Sequence, residues 1–330
     1  MKHAAGINGD SIPYHNLPQP ENRDLFGVKE NLEKIKKMLL SSSNCSVISI
    51  DGIGGAGKSS LALIAAHWYR KNYNTLDSES KFDAIIWVSA KVYLLTADSL
   101  VPRNDRTKTL NDIYTTISIV LDREDITKAK DSKIHELVKR AISQQRTLII
   151  IDNLDTIDDQ QVIVFLRELP TPTKAIVTSR KNFGFELPIT LDGLNEADAK
   201  KLIKYEGEKK RIILNEGDID DLFQNTGGIP LAIVWTISRI HFGYPKDQVI
   251  SELKKNTSDI IRYCFSEALR IIRDKDPHTA LLALSLFEAS ASKDAIKFTA
   301  NPEWDNANLI NSIVQLKKLF LIMETNNRYY

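Results

Sequence analysis

The residues whose spacing speaks most directly of chemistry begin at position 52. Gly52-Ile53-Gly54-Gly55-Ala56-Gly57-Lys58-Ser59-Ser60 reads G-x-x-x-x-G-K-S, the pattern of a loop that cradles phosphate. Glycines let the backbone curl until successive N–H groups face one anion. A helix starting near Lys58 adds its positive end. Lys58 can place an ammonium on β- and γ-phosphates, and Ser59 can offer a hydroxyl to Mg²⁺. Gly52, Gly54, Gly55, Ala56, Gly57, Lys58, Ser59 and Ser60 are therefore the candidate phosphate-binding set. A ligand-free glycine turn is the competing reading, and the apolar run before the loop and the helical run after it weigh against that.

A second candidate lies 94 residues after Lys58. Thr147-Leu148-Ile149-Ile150-Ile151-Asp152 is an apolar run that ends in a carboxylate. A strand of this kind, expected beside the phosphate-loop strand, would let Asp152 hold Mg²⁺ through water. On its own, a turn or capping Asp is the commoner explanation; the phosphate loop shifts the balance. The following residue is Asn153, which cannot serve as a general base, and Asp155 is the nearest acid. Ala175-Ile176-Val177-Thr178-Ser179-Arg180 is a third apolar run with a polar end. Ligands of open α/β sheets bind outside the carboxyl ends of the strands, so Arg180 could reach a γ-phosphate there. Lys58, Asp152 and Arg180 are the candidate catalytic residues, and Ser59 and Asp152 the candidate metal ligands.

The elements that must position these residues follow from the apolar pattern. Residues 45–50, 84–88, 147–151 and 175–178 are short, Ile/Val-rich and not alternating, as in strands buried on both faces of a parallel sheet. Helical stretches at 59–70, 110–121, 131–143 and 159–168 lie between them, and 25–40 carries a helical period. The alternation predicts an α/β domain with a parallel sheet. Residues 93–108 read as a long polar insertion. After about residue 187 the strand signal nearly stops, and helices are expected at 196–210, 218–224, 231–241, 246–255 and 258–273. At the end, 320–323, an Asn-Asn turn and 328–330 form a hairpin signature. The expected organisation is an extended arm (1–24, with Pro13, Pro18 and Pro20), an α/β domain (25–188), a small helical domain (189–257) and a winged helix (258–330). The last strand would be very short, so a fragment of a longer chain is expected.

Composition narrows the partners. Of 330 residues, 44 are Lys or Arg and 43 Asp or Glu, a net charge of +1 that supplies no bulk field for nucleic acid or anionic lipid. Cys45 and Cys264 form no framework, which points to a reducing, cytoplasmic compartment. No apolar run approaches the ~20 residues of a membrane span. The six histidines are scattered without metal-ligand spacing. The four tryptophans sit in apolar stretches and read as core. The last long helix, 306–318, carries basic residues only at Lys317 and Lys318, unlike a helix that reads a DNA groove.

Together these motifs resemble the NB-ARC branch of the STAND signalling NTPases, relatives of the AAA+ ATPases. Asn16-Leu17-Pro18-Gln19-Pro20 with Leu25-Phe26-Gly27-Val28-Lys29-Glu30 looks like the family's N-terminal adenine-side motif. Residues 52–60 are its phosphate loop (Walker A). Phe82-Asp83-Ala84-Ile85-Ile86-Trp87-Val88-Ser89 looks like its third-strand signature. Residues 148–154 are similar to its Walker B, Thr178-Ser179-Arg180 to its sensor 1, and Gly227-Gly228-Ile229-Pro230-Leu231-Ala232 to its GLPL motif. Val28 stands where the family usually has Arg, and Asn153 takes the place of a second acid. The family's histidine motif would follow residue 330.

The resemblance implies a P-loop nucleotide-binding domain, a helical lid and a winged helix that close over ADP at rest. Exchange of ADP for ATP would open the lid and expose surfaces for self-association, with Mg²⁺ as cofactor; Asn153, which cannot act as a base, predicts slow ATP hydrolysis. It adds Phe26, Gly27 and Pro230 to the nucleotide-binding candidates. For Pro230, simple helix initiation is the parallel reading. Sensor and effector partners in signalling, regulation or defence would lie elsewhere. The alternatives are a DNA-binding regulator with an ATPase core and an origin-type AAA+ ATPase. Asn153 and the absence of an evident arginine finger argue against a fast motor.

Overall fold

The computed structural model describes residues 13–19, 26–40, 45–91, 93–95, 100–102, 106–185, 187–254, 269, 271–287, 290–319, 321–322 and 324–330. In chain order the first elements are β1 (Tyr14–His15), α1 (Lys29–Met38), β2 (Val47–Gly52), α2 (Lys58–Lys71) and β3 (Ala84–Ser89). A hairpin of β4 (Tyr93–Leu95) and β5 (Leu100–Pro102) follows, then α3 (Leu110–Val120), α4 (Glu124–Thr127) and α5 (Asp131–Ser143). β6 (Thr147–Asp152), α6 (Gln161–Arg167), β7 (Lys174–Ser179) and β8 (Leu187–Leu191) complete the α/β region. Then come α7 (Glu196–Lys209), α8 (Glu216–Thr226), α9 (Pro230–His241) and α10 (Lys246–Lys254). The described chain ends with α11 (Asp276–Leu284), α12 (Lys293–Ala300), α13 (Asn306–Lys318), β9 (Glu324–Thr325) and β10 (Arg328–Tyr329).

Six strands form one sheet in the order β1-β3-β6-β7-β2-β8, and the pairs β1–β3, β3–β6 and β6–β7 run parallel. Every residue of β2, β6 and β7 is buried, which is why β6 and the middle of β7 show unbroken apolar runs instead of alternation. Ile85, Ile86, Ile149, Ile150, Ile176 and Val177 are wholly inaccessible and form the heart of the core. Helix ends are closed locally. Thr109 and Asp112 make a reciprocal capping box on α3, and Asn215 and Asp218 make another on α8.

One expectation needs correction. β6 does not lie beside the phosphate-loop strand: β7 intervenes between β6 and β2. The β6–α6–β7 crossover lays β7 against β6, and β7 then carries the pairing on to β2, so Ala175 N–H donates to Ser46 O at 2.8 Å. The insertion at 93–108 holds the antiparallel β4–β5 pair, with Leu94 opposite Val101. Within the N-terminal segment, Tyr14 and His15 form an extended strand that pairs with Ala84 and Ile85. Asn16 then continues that ladder with its side chain: Oδ1 accepts from Trp87 N–H at 2.6 Å and Nδ2 donates to Trp87 O at 2.8 Å. A carboxamide reproduces the donor and acceptor of a peptide unit, so the ladder gains a step beyond the two-residue strand. Most of the helix expected at 258–273 falls outside the described residues.

The chain divides into two compact units, one of Met1–Ile50, Ser59–Thr178 and Phe185–Ile189, the other of Asp51–Lys58, Ser179–Gly184 and Thr190–Tyr330. In the second, α7–α10 bury Leu202, Ile203, Leu222, Ile233, Ile237 and Leu253. Its last three helices and hairpin share a core that includes Ile272, Leu284, Trp304, Leu309, Leu316 and Tyr329. The hairpin is tighter than the sequence pattern implied. Asn326 and Asn327 have φ of 52° and 61°, the two left-handed positions of a type I′ turn, so Thr325 pairs with Arg328 and Glu324 with Tyr329. Ala291 and Tyr329 exchange two 2.8 Å backbone hydrogen bonds, giving the short β10 a second partner.

Candidate functional site

The phosphate-loop sequence occupies the turn between β2 and α2. Three of its glycines have positive φ: Gly52 at 141°, Gly55 at 81° and Gly57 at 98°. They are required for different reasons. A Cβ on Gly52 would stand 2.1 Å from Leu191 O, so this residue is glycine to let two backbones pass. A Cβ on Gly57 would meet nothing within 4 Å, so packing does not demand glycine there. Its backbone conformation does, and the space beside it is open.

Lys58 is the first residue of α2 and is buried. Its Nζ donates to Gly52 O at 2.9 Å and Ile53 O at 2.7 Å. The ammonium thus ties the loop to α2 through two of the loop's own carbonyls. Ala56 is buried, Ser59 half-buried and Ser60 exposed, the last two in the first turn of α2. Gly55 O accepts from Leu231 N–H at 3.2 Å. That donor belongs to the first turn of α9, one of the N–H groups a helix start leaves unsatisfied. Pro230 is the first residue of α9, where its missing N–H costs nothing. The two glycines before it are also conformational: Gly227 has φ 59° and Gly228 φ 69°, and a Cβ on Gly228 would stand 2.3 Å from Leu194 O.

Asp152 ends β6, buried, opposite Ser89 of β3. The β6–β7 register pairs Ile151 with Val177, which brings the next residues, Asp152 and Thr178, side by side. Thr178 Oγ1 donates to Asp152 Oδ1 at 2.7 Å and accepts from Asn153 N–H at 2.9 Å. Ala90 N–H donates to Asp152 O at 2.9 Å, and Thr156 Oγ1 donates to Ala90 O at 2.7 Å. Asn153 has φ 62°, a left-handed conformation that Asn tolerates better than most residues. The role of Thr178 was not evident from the sequence, since a threonine at a strand end says nothing about which neighbouring strand it faces.

Arg180 follows β7 and is half-buried. The turn around it is fixed by Ser179, whose Oγ accepts from Lys181 N–H at 2.8 Å. Phe26 is half-buried ahead of α1, and Gly27 is exposed with φ 68°. Val28 stands at the N-cap of α1 and supplies no side-chain cap. Asp155 lies half-buried in a 3-10 turn, Leu154–Thr156.

The oxygens in the first unit suit Mg²⁺. Asp152 keeps a carboxylate oxygen beyond the one bonded to Thr178, and Ser59 carries a hydroxyl. Both are hard donors of the kind Mg²⁺ takes one or two at a time, the rest coming from phosphate and water. Among the described residues no cluster of three or more His, Cys, Asp or Glu could hold a metal without a ligand's help. Nor is any helix among them long and apolar enough to cross a membrane.

Comparison with known proteins finds similar chains and a similar fold. The "Probable disease resistance protein RXW24L" of Arabidopsis thaliana is 22% identical over 166 residues, 50% of this chain and 17% of that protein. "Probable disease resistance protein RF45" of the same plant is 24% identical over 226 residues, 64% of this chain and 21% of that one. The chain thus spans about a fifth of the length of these curated relatives. Among solved structures, the Walker-type ATPase PABY2304 of Pyrococcus abyssi shares the fold over 95% of both chains, with a TM-score of 0.66 at 14% identity. The profile described as "NB-ARC domain" matches residues 28–183. Residues 28–183 are accordingly an NB-ARC domain, a nucleotide-binding module of the P-loop NTPase class, and they include both the phosphate loop and the carboxylate-ended strand β6.

Proposed function

We propose that this chain is a nucleotide-operated switch that binds ADP and ATP with Mg²⁺ and hydrolyses ATP slowly. The observation that carries the reading is the hydrogen bond from Leu231 N–H to Gly55 O. It ties the loop that would hold phosphate to the start of α9, so a change in the loop on nucleotide exchange is transmitted to a helix outside the matched domain. A ligand that interacts differently with two arrangements of such an element shifts their balance.

In this reading the loop N–H groups of residues 52–57 and Lys58 bind the phosphates. Ser59 and Asp152 hold Mg²⁺, which when bound neutralises charge on the phosphate oxygens. Arg180 senses the γ-phosphate, Phe26 and Gly27 border the adenine side, and Pro230 touches the nucleotide. Asn153 provides no base, so turnover lies below the ~1 s⁻¹ end of ordinary enzymes. Residues 1–24 serve as an arm, 25–188 as the nucleotide domain, 189–257 as a lid and 258–330 as a winged helix. Self-association in the ATP state, a cytoplasmic location and a role in signalling or defence complete the proposal. The last draws on the relatives' names.

The test is thermal unfolding with and without nucleotide. A ligand at 100 times its Kd stabilises by about 2.7 kcal/mol. ADP should raise Tm in the wild type and leave Lys58→Ala unmoved. Equal shifts in both proteins, or none in the wild type at millimolar ADP, would defeat the proposal.

A further inference from the structure

We infer that Thr178 is the positioning residue for the magnesium carboxylate, setting the orientation of Asp152 from the strand that separates it from the phosphate loop. The inference rests on the proposed role of Asp152 as a metal ligand.

The sheet order supplies the neighbour. Because β7 lies between β2 and β6, Asp152 is one strand removed from the loop strand. A buried carboxylate with several rotamers must be held in one of them to present an oxygen to a metal. Thr178 is the residue of β7 beside it. Its hydroxyl donates to Asp152 Oδ1 at 2.7 Å and so fixes the rotation of the carboxylate. Thr178 Oγ1 itself accepts from Asn153 N–H at 2.9 Å, so the hydroxyl is held from both sides, taking a proton from Asn153 and giving its own to the carboxylate. One side chain therefore holds the acid and the left-handed residue after it. Ala90 N–H, on the other side, anchors the Asp152 carbonyl at 2.9 Å. The backbone of Asp152 is held from the β3 side and its side chain from β7, leaving the second carboxylate oxygen as the group available to a metal-bound water. A hydrogen bond that orients a ligand carboxylate typically changes metal affinity 10–100-fold when lost.

The experiment is a Mg²⁺ titration of ADP binding, followed by calorimetry on the full chain. Thr178→Val, Thr178→Ser, Thr178→Ala and Asp152→Asn are compared, with ADP affinity in EDTA as the metal-free reference. We expect Thr178→Val to raise the Mg²⁺ concentration for half-effect about tenfold or more, with metal-free ADP affinity unchanged. Thr178→Ser, which keeps the hydroxyl, should behave as wild type. An unchanged Mg²⁺ requirement in Thr178→Val, with Asp152→Asn shifted, overturns this inference and leaves the proposed function standing. An unchanged requirement in Asp152→Asn removes the metal role of Asp152 itself, and the inference with it. Equal shifts in the Val and Ser variants would indicate packing alone and also refute it. Should Thr178→Val fail to fold by circular dichroism, the Ala and Ser pair decides on the same criteria. Unfolding of both Val and Ala counts as a general structural role and against the inference.

Discussion

Gly52 and Gly57 belong to one sequence motif, yet the structure assigns them different constraints, and alanine at each separates the two. Both have strongly positive φ, 141° and 98°, so an L side chain at either is strained by roughly 1–3 kcal/mol. At Gly52 a Cβ would also lie 2.1 Å from Leu191 O and 2.9 Å from Leu191 C. These are backbone atoms of a strand and cannot rotate away. Relieving the overlap means shifting the backbone of the edge strand β8, which costs about a further 1–3 kcal/mol. At roughly 2–4 °C per kcal/mol for a domain of this size, Gly52→Ala should melt on the order of 2–12 °C below Gly57→Ala. The ligand response should run the other way. Gly57→Ala fills the open space beside the loop and should lose most of the ADP-induced rise in Tm. Differential scanning calorimetry with and without ADP reads both quantities. Equal losses of Tm in the two variants, or a full ADP shift in Gly57→Ala, would show that the division between packing and ligand is mistaken.

Other outcomes follow from the same geometry. Lys58→Ala removes two hydrogen bonds to loop carbonyls and should lower stability by about 1–3 kcal/mol while abolishing nucleotide binding; retained ADP affinity by calorimetry would contradict the assigned role. Asn153→Val places a β-branched residue at φ 62° and should cost roughly 1–3 kcal/mol, whereas Asn153→Gly should be nearly neutral, as urea unfolding can show. Asn153→Asp should raise ATP turnover, and a wild-type rate of tens per second would mean that another base is present. Burial pushes the phenols of Tyr69, Tyr114 and Tyr329 up to about 12. The folded state keeps these protons after the unfolded chain, titrating near 10, has lost them. Stability is therefore full below about pH 10 and falls as pH rises from there through about 12. Tyr69→Phe should flatten that slope, and an identical slope in the variant would disprove the contribution of Tyr69.

The sequence alone determined the parts of this protein that depend on local rules. The phosphate loop was legible because its glycines, lysine and serine sit within nine residues, where chemistry and spacing coincide. The buried strands were legible because burial on both faces demands unbroken apolar runs at 147–151 and 175–178. The Asn-Asn turn was legible because few residues accept two successive left-handed conformations. Tertiary structure alone decided what depends on pairing between distant segments. The position of β7 between β2 and β6 is a choice of strand order, and each buried strand presents a similar apolar pattern to either neighbour, so the order leaves no mark in sequence. Thr178 gains its grip on Asp152 only from that order and from a register set by Ile151 against Val177. Strand β1 escaped notice because two exposed residues carry no burial pattern; their pairing is completed by the Asn16 carboxamide reaching Trp87. The link from α9 to the loop is a backbone hydrogen bond between Leu231 and Gly55, and every non-proline residue has that donor, so only the fold could select it.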